Sequence, residues 1–159
     1  MSTKPTINAA DPESILRAAL DAFETSLAVP IVAGELDEWS QQVRTAWAEA
    51  SAEVHRQLTQ LHPAQLKQIA KEDPELSTQV DLLRAEDAAL EEDRACLDGV
   101  IERLARLVPM VEPNERIFHE YHAQLQKDGV DFITRVKKQQ VALQTWFQEA
   151  FNRDRGVAD

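Results

Sequence analysis

Cysteine and glycine are scarce: 159 residues hold one Cys and four Gly. A lone thiol, Cys96, cannot close an intrachain disulfide, and thiol exchange would need a second chain or a small thiol. The chain carries no Gly-rich phosphate loop, no Gly-x-Ser-x-Gly elbow and no Cys-x-x-Cys pair. The commonest local signatures of nucleotide binding, acyl transfer and thiol exchange are therefore missing. Also missing is any run of about 18 apolar residues that could span a bilayer. The opening MSTKPTINAADPES lacks the apolar core of an export signal. These absences predict a cytoplasmic protein with no membrane partner, read as a single domain over 1–159. A chain of this length buries about two thirds of its unfolded surface without a metal or a disulfide.

Positive charge is in deficit. Acidic residues number 28 against 17 basic ones, for a net charge of −11. Such a field repels phosphate backbones and anionic lipid, so no nucleic-acid partner is expected. Acids concentrate between Glu72 and Glu102, whereas Arg135, Lys137 and Lys138 form a small basic island. Solvated helix faces account for most of this pattern, although opposite charges on different helices could also steer subunits together.

Apolar residues recur at three and four throughout, and prolines fall where helices should start or stop. This predicts an all-α, antiparallel up-down bundle of four main helices. Asp11 before Pro12 reads as a cap followed by a first-turn proline. The first helix then runs to about Val29 with Leu16, Leu20, Phe23 and Leu27 inside, and Pro30 either ends it or kinks it. A second helix, about Glu35 to Leu61, carries Leu36, Trp39, Val43, Trp47, Ala50, Val54, Leu58 and Leu61. Pro63 opens a short segment to Lys71. Asp73 and Pro74 start a long third helix lasting to Val108, and the fourth spans about Asn114 to Asn152. Residues 1–10 and 153–159 read as flexible ends.

The third and fourth helices carry a coiled-coil-like seam. On the third it comprises Leu76, Val80, Leu83, Asp87, Leu90, Arg94, Leu97, Ile101, Leu104 and Val108. On the fourth it comprises Phe118, His122, Leu125, Gly129, Phe132, Val136, Gln139, Leu143, Trp146 and Ala150. Asp87, Arg94, His122 and Gln139 interrupt it, and each costs stability if buried without a partner. Folding the two helices back about the Pro109–Pro113 turn puts Arg94 level with Asp128 and Asp87 level with Arg135. Two register-setting ion pairs are expected there, with Gly129 leaving room for Arg94 or for a close helix approach. Asp87, Arg94, His122, Asp128, Arg135 and Gln139 are therefore the candidate binding residues.

Metal chemistry finds little support. His119 and His122 are three apart, but a zinc-protease helix needs histidines four apart, and a di-iron bundle needs Glu-x-x-His pairs that do not occur. No cofactor is expected. His55 and His62, seven apart, read as boundary histidines, and Cys96, set among acids, reads as an inert thiol. Of Glu86, Asp87, Glu91 and Glu92, only Asp87 falls on the seam, and no nucleophile accompanies it. Of Trp146, Phe147 and Phe151, the first falls level with Leu76, and everything beyond it projects past the start of the third helix unless the Pro63–Lys71 segment folds over it. The pattern suits a non-catalytic interaction or scaffold protein that binds a protein partner or itself. The alternative is a bundle that holds a ligand or a metal in its polar layer.

Overall fold

The computed structural model describes residues 11–110 and 115–153. Five α-helices follow in order: α1 Pro12–Ala28, α2 Leu36–Arg56, α3 His62–Glu72, α4 Ser77–Leu107 and α5 Glu115–Arg153. Among the described residues there is no strand, and no helix is long and apolar enough to cross a membrane. The expectation of flexible ends falls outside the described residues, apart from Arg153, which closes α5.

Proline sets most of the boundaries. Pro12 occupies the first turn of α1, where its missing N–H costs nothing, and the Asp11 carbonyl accepts from Ile15 N at 3.0 Å. The Asp11 side chain itself makes no capping bond. Pro30 ends α1 and does not kink it, since the helix stops at Ala28. The turn that follows needs a left-handed residue and finds it in Gly34, at φ 89°. Asp73 caps as its position suggests, its Oδ1 accepting from Glu75 N at 3.1 Å. Pro74–Leu76 form a 3₁₀ turn leading into α4.

Pro63 departs from expectation. It does not open a separate segment: α2 passes through a π-helical turn, Gln57–Leu61, directly into α3. Proline has no N–H and its ring crowds the carbonyl four residues back. The turn before it widens, with His62 N donating to Gln57 O five residues back. The buried face then advances in steps of four, through Val54, Leu58, His62 and Leu66. Leu61, expected inside, is only half-buried, and His62 takes the interior position.

The main helices form a ring in which α1 packs on α2 and α5, and α4 packs on α2 and α5. Contacts that climb one helix descend its neighbour: Arg44 meets Glu102, Trp47 meets Asp98, and His55 meets Glu91. The α2 and α4 helices therefore run in opposite directions. So do α1 and α5, where Gln126 meets Leu27 and Lys137 meets Asp21. The core matches the periodicity closely, with Leu16, Leu20, Phe23 and Leu27 at most 1% exposed. All the apolar seam positions from Leu76 to Leu104 are buried, as are Phe118, Leu125, Phe132, Val136, Leu143 and Ala150. Gly129 is buried against α1, where a β-carbon would lie 2.5 Å from Leu27 Cδ1. The missing side chain admits α1 and not Arg94.

The far end of α5 is covered. Leu66 and Ile69 of α3 close over Leu143 and Ala150 with Leu76, Val80 and Leu83, and Trp146 and Phe147 pack on this cluster. Phe151 stacks on Phe147 at a ring separation of 4.7 Å. The short segment thus completes a second apolar cluster instead of leaving an overhang.

Candidate functional site

Three helical elements meet at a buried polar layer. The π turn delivers His62, 3% exposed, to α4, where its Nδ1 lies 3.0 Å from Asp87 Oδ1. From α5, Gln139 Nε2 donates to the same oxygen at 2.9 Å and to the Leu83 carbonyl at 2.8 Å. A carboxylate oxygen only accepts, so the proton between Asp87 Oδ1 and the imidazole is assigned to Nδ1. His62 also lines a cavity of about 420 Å³ together with Gln57, Gln65, Leu143, Gln144 and Phe147. An acid that orients a histidine at the edge of a cavity is an arrangement found in base catalysis. The described lining holds no serine, threonine or cysteine, however.

Both expected cross-helix ion pairs are absent. Arg94 does not reach Asp128: its guanidinium grips Glu91 at 2.7 and 3.0 Å and bonds Asp98 Oδ2 at 3.0 Å. It also donates to Ser51 Oγ of α2 at 2.9 Å. The carboxylates one turn away on the same helix outcompete a partner on another. Asp128 instead accepts from Gln124, at 2.8 Å. Nor does Asp87 meet Arg135. Asp87 turns inward to His62, and Arg135 takes Glu86 at 2.9 Å and also binds Asp93. The level is right for Arg135, but the facing acid is the neighbour of the one expected.

Arg94 anchors a polar strip between α2 and α4. Trp47 Nε1 donates to Asp98 Oδ1 at 2.5 Å, Ser51 donates to the same oxygen at 3.3 Å, and His55 Nδ1 lies 2.6 Å from Glu91. The hydrogen bond from Arg94, aided by that from His55, holds the Glu91 carboxyl below its ordinary 4.5 against the opposing effect of burial. Glu91 and Glu86, expected on wet faces, are thus engaged in ion pairs.

His122 follows a different logic. Its Nε2 is buried without a hydrogen-bond partner among the described residues, as is Trp39 Nε1, and the two rings meet edge to face at 4.9 Å. Burial lowers the His122 pKa from 6.5, and nearby His119 lowers it further. His119 is exposed. Among the described residues no group of three or more His, Cys, Asp or Glu side chains is placed to hold a metal.

Of the six candidate residues, only Asp87 and Gln139 are joined directly. Their essential partner, His62, had been read as a boundary residue. The available signal was Pro63: a proline following a periodic helix without a break in apolar spacing calls for a widened turn. Asp128 and Arg135 share a different feature, a groove of about 610 Å³ between α4 and α5. Leu97, Val100 and Phe132 line it beside Asp93 and Asp131, with the exposed Cys96. Comparison with protein-family models, curated proteins and solved structures finds no match to the chain.

Proposed function

We propose that the chain is a non-catalytic helical interaction module that seats a basic, amphipathic segment of a protein partner in the groove between α4 and α5. The observation that carries this reading is the groove's composition. Val100 supplies half-buried apolar surface above the buried Leu97 and Phe132, and Asp128 and Asp131 add acids that meet no basic side chain among the described residues. Arg135, the cation in the groove, is committed to Glu86 and Asp93. A helix with leucines on one face and lysines flanking them matches both parts of this surface. The net charge of −11 speeds its approach and disfavours acidic competitors.

The test is calorimetric titration with a designed Leu/Lys amphipathic helix and with its Leu/Glu counterpart of equal apolar content. The Lys helix binds saturably, and the Glu helix does not. Asp128→Lys with Asp131→Lys weakens binding more than tenfold, and a solvent-sensitive dye on Cys96 responds to the Lys helix alone. Equal binding of both helices, or indifference to the charge reversal, overturns the proposal. A dimer in light scattering that Asp131→Lys dissociates would make a second copy of the chain the occupant instead.

A further inference from the structure

The cavity at His62 has a lining unlike the rest of the bundle. Gln140, Gln144 and Gln148 recur every fourth residue along α5 and border it in one line, about 6 Å apart per step, with Gln65 of α3 also on its wall. Each primary amide offers donors and an acceptor together. Leu143 and Phe147 contribute apolar surface. At the inner edge His62 is held by Asp87 through Nδ1, and Nε2 is the other polar atom of its ring. Among the described residues no lysine or arginine lines the cavity, whereas Asp11 and Glu13 do.

Each feature narrows the occupant. Two carboxylates, with no cation among the described lining residues, disfavour phosphates and carboxylates. A line of amides penalises a pure hydrocarbon, which would strip their water without replacing it. In the Nδ1-protonated, neutral imidazole, Nε2 accepts, and a ligand N–H satisfies it. The Phe147 ring suits a flat face, and a space of about 420 Å³ falls within the range of small-ligand pockets. Paired donors and acceptors on one edge of a planar ring are what glutamine amides recognise in bases. We infer that this cavity binds an uncharged, nucleobase-type nitrogen heterocycle, its N–H donated to His62 Nε2 and its edge read by the α5 glutamines.

Calorimetry and ligand-observed NMR with adenine, cytosine and uracil test this, with adenosine, adenosine monophosphate and putrescine as comparators. At least one base binds saturably, and adenosine binds at least tenfold more tightly than its monophosphate. Gln144 is exposed, so Gln144→Leu leaves the fold intact and weakens the base about tenfold, the effect of one lost hydrogen bond. The His62 Nε2 resonance moves as base is added to the unaltered protein. No saturable base binding at millimolar concentration overturns the inference. So does a monophosphate that binds as well as the nucleoside, putrescine binding in preference to every base, or full affinity in Gln144→Leu.

Discussion

At the level of the π turn, Asp87 accepts from Gln139 and pairs with His62, so the polar groups brought inside there serve one another. Towards the start of α5, Trp39 Nε1 and His122 Nε2 are also buried and have no hydrogen-bond partner among the described residues. Both layers interrupt the same apolar seam. They differ in how many elements supply polar groups. The first draws on α4, α5 and the start of α3, and the third contributor completes the set. The second packs its imidazole against the rings of Trp39 and, through Trp39, Phe118, using it as an aromatic surface. A buried polar side chain is therefore costly or specific according to what its neighbours offer, and seam position alone does not decide which.

The largest expected effect comes from breaking the completed layer. Asp87→Leu strands the His62 N–H and removes one of the Gln139 amide's acceptors, and each buried group left unpaired costs about 1–3 kcal/mol. The urea midpoint should fall steeply. Replacing His62, Asp87 and Gln139 together by apolar residues should recover most of that loss, because no polar group is left to strand. Equal losses in the single and triple variants would mean that packing, not polar pairing, sets the layer's contribution.

The opposite sign is expected at the unfinished layer. His122→Leu removes a buried nitrogen with no partner and should raise stability by about 1 kcal/mol at pH 7.5. Any clear loss there would reveal a partner for His122. The pH dependence sharpens the contrast. Burial, with His119 adding to it, depresses the His122 pKa in the folded chain below its ordinary 6.5, so the fold takes up this proton less readily than the unfolded chain. Its contribution is fully present above pH 6.5 and is lost as the pH falls through the lower folded value. Between pH 7.5 and 5.5 the parent should lose more stability than His122→Leu, measured by urea midpoints at each pH.

The smallest effect is expected where the structure separates two residues that register arithmetic had joined. Asp128→Ala should change stability by less than about 0.5 kcal/mol. A double-mutant cycle between Arg94 and Asp128 should give no coupling beyond about 0.3 kcal/mol. A coupling above about 1 kcal/mol would restore the cross-helix pair.

Periodicity made the helices and their buried faces legible, because burial of one apolar stripe is a property of spacing alone. Leu16 to Leu27 in α1 and the apolar seam residues Val80 to Leu104 in α4 lie inside as their intervals require. Level along the bundle was legible too, since Gln139 meets Leu83 and Arg135 meets Glu86 close to the expected height. Facing was not. Arg94 has a long side chain and acids at both Glu91 and Asp98, so local pairs on its own helix decide its direction. His62 escaped notice because a straight helix carries Leu61, not His62, into the core. Only the widened turn forced by Pro63 exchanges them.

Long-range ¹H–¹⁵N NMR of the imidazole rings at neutral pH tests most directly whether the π turn delivers His62 to Asp87. The account predicts that His62 carries its proton on Nδ1, that this proton exchanges slowly with solvent, and that Asp87→Leu abolishes the protection. A His62 ring protonated on Nε2, or one whose Nδ1 proton exchanges as fast as that of exposed His119, would contradict it.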